Sequence, residues 1–351
     1  MSLSGRSRDY WDFFIGECVR QKAPLYARLS EGVRDDPYLA ALAGRARPGQ
    51  PMANLILGAV HYLLLRGAEH GLSAHYPTCA RPGETASGDP FPLFRDFCRC
   101  HENEIGELIA TRVTNTNEAG RSAYLRAGFV RIAEQAAEPL HLIELGPSAG
   151  LNLHWDSYGY RYVAGGTEHR AGNADAKLVL TTALEGRLPP PLGPAPAIGM
   201  RVGLERDPVD LADESARDWL KALVWADHPA RFARLEQALA AMTPLAPLDI
   251  RKGDALDLLT DALAGAPRQG ALCVFHTLTT YQFSKPDREA LESILTMASL
   301  WRSVWRLSLE FGGGAYPLKL TRYHDGVREE RVLAVCDPQG GCMEWRDERS
   351  P

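Results

Sequence analysis

The stretch His141-Leu-Ile-Glu144-Leu-Gly146-Pro-Ser148-Ala-Gly150-Leu-Asn152 decides how the rest of the chain is read. Leu140 to Leu145 is a short apolar run broken by His141 and carrying Glu144 near its end, and its length suits a buried strand. The run closes on an acid and passes through a turn with two glycines. It then enters Leu151-Asn152-Leu153-His154-Trp155, which reads as the start of a helix. A strand that runs through a glycine turn into a helix aims backbone N–H groups at a polar or anionic ligand. Glu144 then stands at the carboxyl end of the strand, where open α/β sheets bind ligands. The spacing is not the Gly-x-Gly-x-x-Gly of the nicotinamide fold, because Ser148 stands where the second glycine is required.

Upstream of this stretch the pattern is helical. Trp11, Phe14, Ile15 and Cys18 recur at three- and four-residue spacing, the stripe of an amphipathic helix. Asp35-Asp36-Pro37 reads as a cap followed by proline at a first helical position. Asn54 to Leu65 is apolar nearly all round and so belongs in the middle of a helical bundle. Residues 76–92, rich in Pro, Gly and Ser, read as a loop. At Glu138-Pro139 the character changes, and short apolar runs begin to alternate with helical stretches, the signature of a parallel sheet. The expected division is therefore a helical domain over residues 1–135, lying over the cleft, and an α/β domain over 136–351. Within the latter, residues 156–197 read as an insertion, a β-hairpin with a proline-rich return. Strands are expected again at Ile198–Glu205, Leu248–Lys252, Gly270–Thr277 and Arg302–Glu310, with late strands at 318–323 and 331–336 that pair with each other.

Bulk properties exclude several classes. A chain of 351 residues with 45% hydrophobic and 24% charged residues is an ordinary globular protein with a substantial core. A formal charge of −5 and no Lys/Arg block give no electrostatic footprint for nucleic acid or a membrane surface. Neither a signal peptide nor a membrane span is expected, and seven scattered cysteines fit a reducing cytoplasmic location better than a disulfide framework. Cys79, Cys98, Cys100 and His101, with His75, invite a zinc reading. Cys98 and Cys100 are two apart on a helix and point to different sides, and no Cys-x-x-Cys exists, so no metal is expected.

A second polar constellation is Thr114-Asn-Thr-Asn117-Glu118-Ala-Gly120-Arg121. Asn and Thr cap helices and an acid suits a first turn, which is one reading. The other aims Asn117, Glu118 and Arg121 into a cleft.

The carboxyl end of each successive strand carries a group that a nucleoside ligand needs: Glu144, Glu205, Asp254 and Phe275-His276. In this order they resemble the cofactor motifs of class I S-adenosylmethionine-dependent methyltransferases. The resemblance implies a Rossmann-like α/β sheet, mostly parallel with an antiparallel late strand, behind an N-terminal helical domain. It implies S-adenosylmethionine as cofactor, held by Glu144, Gly146, Ser148, Gly150, Asn152, Glu205, Asp254 and Phe275. Glu205 takes the place of the acid that grips both ribose hydroxyls, and Asp254 that of the contact to the adenine amino group. Two departures stand out: the interval from Gly150 to Glu205 is longer than usual, and the second acid is Glu rather than Asp. The whole chain also resembles an uncharacterised bacterial family catalogued as a domain of unknown function. The shared pieces are Thr116–Arg121, Ser148–Leu153 with Asp156 and Tyr158, Gly203–Asp210, Leu223-Val-Trp225 with Arg231, and Phe275-His-Thr277 with Tyr281.

Methyl transfer needs an acceptor held in line, exclusion of water, and in some cases a base. His276, with its intrinsic pKa near neutrality, is the first candidate base, His154 and Glu118 come next, and Tyr281, close after His276, is a further catalytic candidate. Asn117, Arg121, His154 and Asp156 are the candidate substrate contacts. The Asn/Asp-Pro-Pro-Tyr signature of nucleobase amino methylation is absent, so the expected partner is a small molecule rather than nucleic acid. Two alternatives stand beside the methyltransferase reading: a nucleoside-binding protein without turnover, and a nicotinamide-dependent oxidoreductase. Oligomeric state has no signature in the sequence.

Overall fold

A computed structural model describes residues 3–347 apart from 82, 84, 85, 137, 138, 187–191, 193, 194 and 244. In chain order the helices are α1 (Leu3–Arg20), α2 (Pro24–Asp35), α3 (Pro37–Ala43), α4 (Met52–Leu65), α5 (Phe91–Cys100), α6 (Glu102–Thr111) and α7 (Ser122–Ala133). They continue with α8 (Glu214–Ala222), α9 (Pro229–Met242), α10 (Ala255–Ala264) and α11 (Lys285–Ala298). The strands are β1 (Leu140–Leu145), β2 (Gly159–Ala164), β3 (Thr167–Gly172), β4 (Val179–Gly186), β5 (Ile198–Glu205) and β6 (Asp249–Lys252). After these come β7 (Ala271–Thr277), β8 (Val304–Leu309), β9 (Tyr316–His324), β10 (Val327–Cys336) and β11 (Cys342–Trp345).

The chain divides into two units. One comprises residues 1–116 and 209–236, the other residues 117–208 and 237–351. In the first, α4 is buried around its whole circumference, as its apolar sequence requires. Gly58 lets it approach α8 closely, since a Cβ there would lie 3.3 Å from Leu223. His61 on α4 is fully buried, with Nδ1 on the Ala222 carbonyl at 2.9 Å and Nε2 on the Thr78 hydroxyl at 2.7 Å. Burial pushes its pKa down to about 4, so the ring is neutral. Asp36 caps α3 by accepting from the amides of Tyr38 and Leu39. Cys98 is buried and Cys100 exposed, and among the described residues no His/Cys/Asp/Glu group is disposed to hold a metal ion.

The second unit is a mixed α/β unit built on a large sheet of order β3-β2-β4-β11-β10-β9-β8-β7-β1-β5-β6. β6, β5, β1, β7 and β8 run parallel, and β9 is antiparallel to β8. β1 is buried at every position, as a parallel strand flanked on both sides and covered on both faces must be. On one face Ile143, Leu145, Val202, Leu204, Leu272 and Val274 pack with Leu259 and Ala262 of α10 and Leu291 and Leu295 of α11. On the other face α7 packs closely, because Gly128 leaves room for Leu307: a Cβ there would lie 2.5 Å from it.

Four expectations change. The helical domain was expected to end at residue 135, whereas the division falls at 116/117. The reason is that α7 is buried nearly all round and packs against β4, β8 and β9. Residues 209–236, expected within the α/β domain, group with the N-terminal helices instead. The stretch read as an insertion does form a hairpin, β2–β3, but β2 also pairs with β4, and β4 pairs with β11, so it extends the main sheet. Part of its proline-rich return lies outside the described residues. Finally, Leu151–Ser157 is 3-10 turns with a kink at His154 rather than the first turn of an α-helix.

Candidate functional site

The chain turns one way from β1 to β5 and the other way to β7, so the sheet order reverses beside β1. In open α/β sheets ligands bind outside the carboxyl ends of the strands at such a reversal. The Gly146–Gly150 turn sits there. Gly146, Ser148 and Gly150 all have left-handed backbone, at φ 68°, 55° and 79°. Ser148 is the residue with a side chain to carry, and left-handed backbone at a non-glycine position costs free energy that clusters at functional sites. A Cβ at Gly150 would lie 2.4 Å from Leu248, so any side chain there would displace the leucine.

Glu205, at the end of β5, closes on this turn. One of its carboxylate oxygens accepts from the Ser148 amide at 2.8 Å and the other from the Asp207 amide at 3.1 Å. Glu144 is opposite Gly203 on β5 and opposite Phe275 on β7. Alternation along the strands therefore puts Glu144, Glu205 and Phe275 on one face. Glu144 is 1% exposed, and burial pushes its pKa up to about 8, with the Glu205 carboxylate adding to the rise while Asn152 and Arg121 oppose it. At neutral pH Glu144 is therefore a neutral acid. Ser148 Oγ and Trp155 Nε1, buried polar atoms at the turn and just after it, have no hydrogen-bond partner. Such atoms cluster where a ligand or ordered water completes the site.

The Asn117–Arg121 segment fastens onto the same edge. Asn117 Oδ1 accepts from the Leu151 amide at 2.9 Å, and Ser122 Oγ donates to Asn152 Oδ1 at 2.8 Å. Glu118 is buried and accepts from the Gly120 amide. Arg121 Nε donates to the Pro338 carbonyl at 2.8 Å, and its Nη1 reaches the Thr277 carbonyl and hydroxyl at 3.2 and 3.3 Å. The segment caps local structure, and it puts the Arg121 guanidinium at the exit of β7.

Other candidates fall elsewhere. His276 is fully buried and, by the same alternation, lies on the opposite face from Glu144 and Phe275. Its Nδ1 bonds Glu310 at 2.7 Å and its Nε2 accepts from Arg306 at 3.0 Å. Burial and the Arg306 charge hold its pKa below the usual histidine value. No ring nitrogen is left for an acceptor's proton, which corrects its assignment as the base. Tyr281 is 65% exposed just past β7. Phe275 packs edge-to-face on Phe129, at 5.1 Å between centroids, as a core residue. Asp254 caps α10 through the Leu256 amide and pairs with Arg206 at 2.7 Å, so its carboxylate is occupied by the fold. Asp156 holds Arg201 of β5 through both oxygens, at 2.8 and 2.7 Å, which removes it from the substrate contacts. His154 is buried beside Arg201, and burial first, then that charge, lower its pKa to about 4.

Sequence reasoning passed over Glu310, which directly follows β8. It had a signal: like Glu144 and Glu205, it is an acid at the carboxyl end of a strand. A separate cleft of about 640 Å³ in the helical unit is lined by Arg28, Arg34, Arg95, Asp35 and Asp36. Its arginines already pair with acids, Arg28 with Asp89, Arg34 with Asp12 and Asp35, and Arg95 with Asp36, so it has no net call on an anion.

A family model described as "Uncharacterized protein conserved in bacteria (DUF2332)" matches residues 12–345. The chain belongs to this family. No curated protein and no solved structure matches it. No helix among the described residues is long and apolar enough to cross a membrane.

Proposed function

We propose that the α/β unit binds S-adenosylmethionine at the Gly146–Gly150 turn and transfers its methyl group to a small molecule. The observation that carries this reading is the contact of the Glu205 carboxylate with the Ser148 amide, at 2.8 Å, inside a glycine turn at the reversal of the sheet order. A carboxylate oxygen has two acceptor sites, so Glu205 can hold the turn and still accept from a vicinal diol. The residues present fit such a group. Ser148 Oγ is a buried donor without a partner, and Trp155 Nε1 is another. Asp254 fits less well, because an adenine amino group must share it with Arg206 and the α10 cap.

When bound, the cofactor supplies a sulfonium-linked methyl carbon open to displacement. The chain's part is orientation and exclusion of water. Glu205 and the turn fix the nucleoside end, and the neutral Glu144 donates or accepts without adding a second buried negative charge. Arg121 at the β7 exit presents a positive group beside Thr277.

Binding without turnover is the second reading, favoured by the engagement of both His276 nitrogens. Thermal unfolding with S-adenosylhomocysteine, S-adenosylmethionine and NAD separates the classes. The first two should raise the midpoint and NAD should not, and Glu205→Ala should abolish the rise. A rise that persists in Glu205→Ala refutes the ribose contact, and no rise with either cofactor form refutes the reading. Incorporation of labelled methyl into a small-molecule extract then distinguishes enzyme from silent binder.

A further inference from the structure

We infer that His276 and Glu310 are a positioning pair that clamps the segment after β7 onto the glycine turn from the far side of the sheet. The significance of the clamp for a ligand rests on the turn being the binding site proposed above. The chain of contacts is continuous. Glu292 of α11 pairs with Arg306 of β8, Arg306 Nε donates to His276 Nε2 at 3.0 Å, and His276 Nδ1 donates to Glu310 Oε1 at 2.7 Å. The same Glu310 oxygen accepts from the amides of Thr279 and Thr280 at 2.8 and 3.0 Å. Thr279 Oγ1 in turn donates to the Leu145 carbonyl at 3.1 Å, and its side chain lies against Gly146, where a Cβ would come within 2.7 Å of Thr279 Cγ2.

Two features mark this segment as held rather than relaxed. Leu278, which has a side chain, sits in left-handed backbone at φ 52°, anchored by its amide on the Leu309 carbonyl at 2.8 Å. Glu310 is also kept ionised: His276 and the two amides hold its pKa below the usual range against the opposing effect of burial. Arg306 orients the ring by donating to Nε2, so the proton stays on Nδ1 and faces Glu310. Glu292 also takes Tyr323 of β9, at 2.8 Å, and Arg328 of β10, at 3.3 Å, so the far end of the chain is braced by two more strands. Neither His276 nor Glu310 touches the proposed ligand; both act through Thr279 and Thr280.

The test uses the full chain and four variants: Glu310→Ala, Glu310→Gln, His276→Ala and His276→Asn. Far-UV circular dichroism selects those that fold. Amide hydrogen exchange at Thr279 and Thr280 reads the clamp directly, and calorimetric titration with S-adenosylhomocysteine reads its consequence. Loss of charge-assisted bonds should speed exchange in both alanine variants by roughly tenfold or more and weaken binding by a similar factor. Glu310→Gln keeps an oxygen for the two amides, and His276→Asn keeps an N–H placed like Nδ1, so both should recover most of the protection and affinity. A general loss of packing would not be rescued in this pattern. Unchanged exchange in Glu310→Ala overturns the clamp. Faster exchange with unchanged affinity overturns its bearing on the ligand. Absence of wild-type binding refutes the proposed function instead, and the exchange measurement then decides the clamp alone.

Discussion

Glu144→Gln isolates the consequence of burying two carboxyl groups on neighbouring strands. Burial and the Glu205 charge move the Glu144 pKa from its ordinary 4.5 to about 8. Between those values the folded protein holds a proton that the unfolded chain has released, so the folded state is favoured at low pH. Stability from this group is therefore fully present below 4.5 and is lost as pH rises towards 8. At about 1.4 kcal/mol per pH unit, the loss between about pH 5 and about pH 7.5 is about 3 kcal/mol. Glutamine has nearly the same shape as the neutral acid and does not titrate. Urea unfolding of wild type and Glu144→Gln across this range should show the variant gaining on the wild type by about 3 kcal/mol from acid to neutral pH. A difference that stays flat across the range refutes the reasoning, since it would mean that Glu144 is ionised or neutral equally in both states.

Gly150→Ala should destabilise by about 3 kcal/mol, combining left-handed backbone with a Cβ 2.4 Å from Leu248. Gly49→Ala, also left-handed but with nothing within 4 Å, should cost only about 1–2 kcal/mol, and paired thermal melts compare the two. Arg201→Ala should cost about 1–3 kcal/mol by freeing the partly buried Asp156, and a double-mutant cycle with Asp156→Asn should return a coupling of about 1 kcal/mol. In Glu205→Gln the pH at which the Glu144→Gln comparison levels off should move down, yet stay above the ordinary carboxylate range, because burial is the larger cause of the shift.

Much of this architecture was legible because its strands are short apolar runs bounded by glycine, proline or acids. β1, β5, β7 and β8 fall where hydrophobic patterning puts them, and β9 and β10 pair as their spacing suggests. The parallel pairing of β4 with β11 was not legible, since it joins segments about 160 residues apart and no local signal specifies a distant parallel partner. The 3-10 turns after Gly150 were misread as an α-helix. Asn152 and His154 interrupt the apolar Leu151, Leu153 and Trp155, and the backbone kinks at His154, where φ is −98° and ψ 20°.

The error over His276 is instructive, because the sequence already held the means to avoid it. Phe275 and His276 are adjacent on a strand, so only one of them can share a face with Glu144. Placing Phe275 at the cofactor and His276 as the base beside it ignored that parity, and the register of β1 with β7 puts Phe275 on the face of Glu144. His276 then belongs to the face of α11, where Arg306 and Glu292 wait for it. The same parity gives Glu310 its place. It lies one residue past Leu309, which is opposite Thr277, and so falls on the His276 side and within reach of its Nδ1. Strand alternation thus sorts the acids of this sheet edge into two sets. Glu144 and Glu205 face the glycine turn directly, while Glu310 acts on it from behind through two backbone amides.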